Sequence, residues 1–133
     1  MKFSFTIALL LFFSLVGWST VYGQSATEVI DEVGESFIDG SVERLIKYFD
    51  ERVEITMWGR RQEYSKAQAQ YVMTQFFQDY PSGSFGILHR GTADGVAYAL
   101  GELRSSTGTF EVNIFVKMDP GSSRVTELRF DER

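Results

Sequence analysis

The chain has 133 residues, no cysteine, and 13 Lys and Arg against 18 Asp and Glu, for a formal charge of −5. Without thiols there can be no disulfide, thiolate catalysis, thiolate metal site or acylated-cysteine anchor. An acidic balance with Arg60-Arg61 as its only basic pair argues against nucleic acid and anionic membrane as partners.

Met1-Lys2 gives a short positive start, Phe3 to Trp18 is apolar with small polar interruptions, and Val21-Tyr22-Gly23 supplies small or tolerated residues before a cleavage point. This is the three-part pattern of a secretory signal peptide. The alternative, a membrane anchor, needs about 20 strongly apolar residues, and Ser4, Thr6, Ser14 and Gly17 thin out a segment already short. The expectation is a signal over 1–23 and an exported product, periplasmic or secreted, without membrane attachment once the signal is gone. Residues 24–133, about 110 in all, are then one domain.

Ser25 and Glu28 form a capping box, and Val29, Ile30, Val33, Phe37 and Ile38 follow at helical spacing until Gly40, which predicts a helix over 26–39. Ser41 caps a second helix, 42–49, with Val42, Leu45, Ile46 and Phe49 on one face. The period then changes to two. Val53, Ile55 and Met57 alternate with Glu54, Thr56 and Trp58, a strand over 53–58. Gly59-Arg60-Arg61 turns it, and Gln62 to Tyr64 returns as a short partner. Ser65 with Gln68 opens a third helix, 66–79, with Ala69, Val72, Met73, Phe76 and Tyr80 inward.

From Ser84 onward the alternation continues through strands 84–91, 96–105, 109–118 and 124–131, separated by turn-forming residues such as Asp119-Pro120-Gly121. Phe85, Ile87 and His89 are expected on one face of the first of these. In the last, Thr126, Leu128 and Phe130 are set against Val125, Glu127 and Arg129. Consecutive strands with short turns make an antiparallel meander, with three helices before it to cover one face; the class is α+β.

Two helices, a strand, a long helix and a long meander is the element order of a nuclear-transport-factor-2-like cone, and the stretch Val42 to Ile55 resembles that superfamily's helix-to-first-strand passage. More narrowly, Tyr64-Ser65-Lys66-Ala67-Gln68-Ala69, Ile87-Leu88-His89-Arg90-Gly91 and Glu127-Leu128-Arg129-Phe130 resemble an exported Bacteroidetes family known as domain of unknown function 4783. The resemblance implies three N-terminal helices packed on a curved, mainly antiparallel sheet, and no activity. Ketosteroid isomerase, of the same superfamily, is similar from Tyr48 to Gly59. Matched there, its aspartate base falls at about Thr56 and its oxyanion-hole tyrosine near Val33, and neither residue can fill those roles.

His89 is the only histidine, the residue type that exchanges a proton near neutral pH. On its strand it can meet a ligand at a pocket mouth or bond a neighbour for structural reasons; nothing beside it implies a second catalytic group. There is no HxxxH motif, no Gly-x-Ser-x-Gly elbow and no facing carboxylate pair. No catalytic residue, metal ligand or cofactor is therefore assigned. The aromatic load of 15% fits either a filled core or an apolar cavity of the kind that takes a hydrophobic ligand. The candidate ligand contacts are His89, Trp58, Tyr64 and Phe110. Tyr98, Leu100 and Phe115 alternate onto the outer sheet face among charged neighbours, where a homodimer contact is expected. The leading reading is a non-catalytic module that binds a small hydrophobic ligand or a protein. The rival is a small lyase- or isomerase-like enzyme using His89 with Tyr48 or Tyr64.

Overall fold

Ser25 starts the first helix, α1 (Ala26–Asp39): its hydroxyl accepts the Glu28 amide at 3.2 Å, and Gly40 ends the helix at φ 66°. The computed structural model describes residues 25–133; the leader expected over 1–23, its cleavage point and Gln24 lie outside the described residues. One stripe of α1, Val29, Ile30, Val33 and Phe37, is buried, whereas Ile38, grouped with them by spacing, is exposed. Helix α2 (Val42–Ile46) is capped by the Ser41 hydroxyl. It is shorter than the 42–49 expected, because Phe49 already belongs to strand β1 (Phe49–Met57). There the Val125 amide donates to the Tyr48 carbonyl at 2.8 Å and Phe49 pairs with Val125. Sheet pairing thus outcompetes a last helical turn.

Strand β1 forms a hairpin with β2 (Arg60–Ser65), in the register Met57 to Arg60, Ile55 to Gln62 and Val53 to Tyr64. The turn is Trp58-Gly59, with φ 55° and 80°. It lies one residue earlier than the Gly59–Arg61 turn expected and takes Trp58 out of the strand. Positive φ at both central residues is the two-residue hairpin geometry that matches strand twist. Ser65 then opens helix α3 (Lys66–Asp79) with a complete capping box: its hydroxyl accepts from Gln68 N, and the Gln68 side chain accepts from Ser65 N.

Strands β3 (Ser82–Ala93), β4 (Val96–Ser105), β5 (Gly108–Lys117) and β6 (Arg124–Glu132) pair in sequence as the expected antiparallel meander, and β1 adds to β6 in parallel. The sheet order is β2-β1-β6-β5-β4-β3. Helix α1 lies across β3 to β6, and α3 packs on β1 and β2. Between helices and sheet, Phe37 meets Phe77, Phe85 and Phe130, while Phe76 meets Phe110 and Phe130. The space a cone of this order can leave open is here filled by aromatic rings. Among the described residues no helix is long and apolar enough to cross a membrane.

Two bulges move residues from the faces their alternation predicts. In β3, Ile87 pairs with Gly101 and His89 with Leu100, leaving Leu88 as the extra residue. His89 therefore shares the outer face with Leu100, not the inner face with Phe85 and Ile87. In β6, Val125 pairs with Val116 and Glu127 with Phe115, so Thr126 is extra. Val125 accordingly points inward with Leu128 and Phe130, and all three are fully buried. An inserted residue reverses the parity of everything beyond it.

Candidate functional site

The hairpin and α3 do not close on each other. The inner face of the hairpin presents Met57, Arg60, Gln62 and Tyr64, and the facing side of α3 presents Tyr71, Val72, Gln75 and Phe76. Residues 68, 72 and 76 recur every four positions, as does the pair Tyr71 and Gln75, so they line up along the helix. The result is a groove with two connected hollows that share Tyr71 and Val72. One, of about 420 Å³, lies at the Trp58 end, and the other, of about 490 Å³, at the Tyr64 end.

Trp58 forms the rim of the first hollow. It is 40% exposed, and its ring stacks on Phe110 at 5.6 Å and 24°, 5.8 Å from Tyr80 and 6.4 Å from Phe76. A bulky residue at φ 55° is sterically unfavourable. The backbone strain is offset by ring packing that this conformation permits. Phe110 is fully buried beneath Trp58 and is the floor rather than the wall. Tyr64 stands half-buried at the second hollow, where its hydroxyl donates to Gln62 Oε1 at 3.1 Å. Of the four contacts expected from sequence, Trp58 and Tyr64 line the groove at its two ends, and Phe110 lies beneath Trp58 without lining either hollow.

His89 is elsewhere. It sits on β3, at the opposite edge of the sheet from β2, and its ring lies 5.9 Å from Tyr98 on the outer face. The bulge at Leu88 is what turns it away. His89 and Tyr64, partners in the enzymatic reading, occupy opposite edge strands. The positions matched to the isomerase roles are also separated. Val33 is buried on the inward stripe of α1, whereas Thr56 lies on the outer face in register with Arg61 and Arg129. Among the described residues no three His, Asp or Glu side chains gather as metal ligands.

Sequence reasoning missed Tyr71, which is 69% exposed and stands over both hollows. The signal was present: Tyr71 falls off the apolar stripe of α3, and a large aromatic on the wet side of a helix asks for a contact. Arg60 was read as turn decoration. It heads β2 opposite Met57 and lines the Trp58 hollow.

The outer sheet face has a different chemistry. Tyr98, Leu100 and Phe115 are half-buried there, with the Arg129 guanidinium 5.3 Å over the Phe115 ring. Glu102 is held below the ordinary carboxylate range by a 2.7 Å hydrogen bond from Arg104, against a smaller opposing effect of burial, with Arg133 adding to the lowering.

Residues 30–131 match the sequence model of the family described as Domain of unknown function (DUF4783). A solved DUF4783 protein from Bacteroides ovatus is 28% identical, covering 77% of this chain and 93% of its own, with a TM-score of 0.74. One from Bacteroides uniformis is 26% identical, covering 77% and 95%, with a TM-score of 0.73. An NTF2-like protein of unknown function from Shewanella baltica is 13% identical, covering 80% and 90% at a TM-score of 0.64; this likeness concerns the fold alone. No functionally curated protein matches.

Proposed function

We infer that this chain, which belongs to the DUF4783 family of domains of unknown function, is a non-catalytic binding module. It takes a small hydrophobic ligand into the groove between α3 and the β1–β2 hairpin. The observation that carries this reading is the exposed aromatic lining. Trp58 and Tyr71 stay wet beside Val72, Phe76 and Tyr80 although a filled core lies immediately below. Burying a large apolar side chain is worth about 1.5–3 kcal/mol, so two aromatics left at a groove are a reserve that a ligand can use. The apolar leader pattern at the start of the chain supports export as the setting. The half-buried Tyr98, Leu100 and Phe115 among charged neighbours support pairing of two copies through the outer sheet face.

The test is a titration with the neutral fluorophore N-phenyl-1-naphthylamine. Saturable binding is expected, weakened about tenfold or more by Tyr71→Ala. The substitution is at an exposed site, so thermal melting should stay near that of the parent. Unchanged affinity in Tyr71→Ala, or no saturable binding at all, rejects the groove.

A further inference from the structure

Nine arginines occur in the chain, and eight of them have a partner. Arg44, Arg52, Arg61, Arg90, Arg104, Arg129 and Arg133 each meet a carboxylate, and Arg124 bonds Ser122 and the Lys47 carbonyl. Among the described arginines, Arg60 alone has no side-chain hydrogen bond or ion pair. It is also the arginine that lines the Trp58 hollow, across the hairpin from Met57 and two residues after Trp58. Asp79 lines the same hollow, yet the two are not paired, so their charged atoms stand more than 4.0 Å apart.

We propose that the ligand is a small planar carboxylate: an aromatic body lying among Trp58, Tyr71 and Tyr80, with its carboxylate taken by the Arg60 guanidinium. The proposal rests on the groove reading above and adds the ligand's charge. A guanidinium presents a rigid fork of donors that fits a carboxylate edge-on. Aromatic walls favour a flat body over a branched one. One cation beside the Asp79 carboxylate, in a chain of net charge −5, matches a single negative charge. A phosphate dianion would meet one cation, one nearby anion and an acidic field.

The experiment is calorimetric titration of protein expressed from the full chain with 2-naphthoate and its neutral isostere 2-naphthamide. Expected is about tenfold tighter binding of the naphthoate, as a charge-assisted bond supplies. Arg60→Gln should erase that preference, bringing naphthoate affinity down to that of naphthamide in the same variant. Arg61→Gln is the control, since Arg61 is tied to Glu54 on the outer face; it should keep the preference. Equal affinities in the parent, or a preference that survives Arg60→Gln, overturn the carboxylate assignment and leave the groove standing. Binding of neither probe overturns both.

Discussion

Trp58 holds two opposed effects in one residue. Its φ of 55° belongs to a turn position that Gly or Asn fills without strain, at a cost of roughly 1 kcal/mol for a side chain with a Cβ. Its ring gains the stack on Phe110, an edge contact with Phe76 and a tilted one with Tyr80. Removing the ring and relieving the backbone can be done separately. Trp58→Ala should destabilise through lost packing, while Trp58→Gly should be more stable than Trp58→Ala by about 1 kcal/mol in urea unfolding. Equal midpoints for the two would mean that the backbone is unstrained. Gly101 shows the converse, a place where only hydrogen fits. A Cβ there would stand 2.3 Å from Cζ of Phe85, a ring that also lies against Gly34 of α1. Gly101→Ala is expected to cost about 1–3 kcal/mol as overpacking, read as a lower melting midpoint. No loss would show that Phe85 can swing aside.

Secondary-structure elements followed the local signals where those signals are chemical. Ser25, Ser41 and Ser65 each start a helix, and Gly40 ends one. Because Ser65 closes a reciprocal box with Gln68, Ser65→Ala should lower stability by about 1 kcal/mol. Gln68→Ala should incur part of the same loss, and the double variant should cost less than the sum; strict additivity in unfolding would argue that the box is not a unit. The six-strand sheet and its meander were legible because period-two runs and turn residues are sequence properties. The bulges at Leu88 and Thr126 were not. An extra strand residue leaves no compositional mark, because it is fixed by which partner residues find register. That is why alternation alone sets His89 beside Phe85 and Ile87, whereas the bulge at Leu88 turns it to the outer face with Leu100. Arg60 escaped for another reason: an arginine without a partner looks like any other until the remaining eight are seen paired.

At the scale of the whole molecule, charge and association act together on the outer sheet face. Glu102 lies opposite Glu111, with Asp131 next in the row, and Arg104 and Arg133 meet the two glutamates. Because the folded state holds Glu102 below the ordinary carboxylate range, its contribution is present above the unfolded carboxyl pKa, about 4.3. It is lost as pH falls through the lower folded value. Glu102→Gln should therefore be less stable than the parent near neutrality, and the gap should close in acid; a gap constant with pH in melting experiments excludes this linkage. For the proposed homodimer, Phe115→Glu places a new charge in the apolar patch opposite Glu127. Sedimentation at micromolar concentration should show a dimer for the parent and a monomer for the variant, whose own melting midpoint changes little. A parent monomer, or a dimer indifferent to the charge, removes this face as the contact.

The parallel pairing of β1 with β6 has a kinetic side. Phe49 meets Val125 and Met57 meets Phe130, so the hairpin that walls the groove is joined to the rest of the sheet only by the last strand to be synthesised. Closing so long a loop is entropically expensive and slows folding. Without β6, β1 and β5 each keep a bare edge, and the β1–β2 hairpin and the β3–β4–β5 meander are two separate pieces. On this topology the complete sheet can form only once β6 is available, so its assembly is expected to be a late step in folding. The hairpin and α3 that wall the groove are neighbours in sequence, but the hairpin is fixed to the rest of the sheet only when β6 pairs with β1.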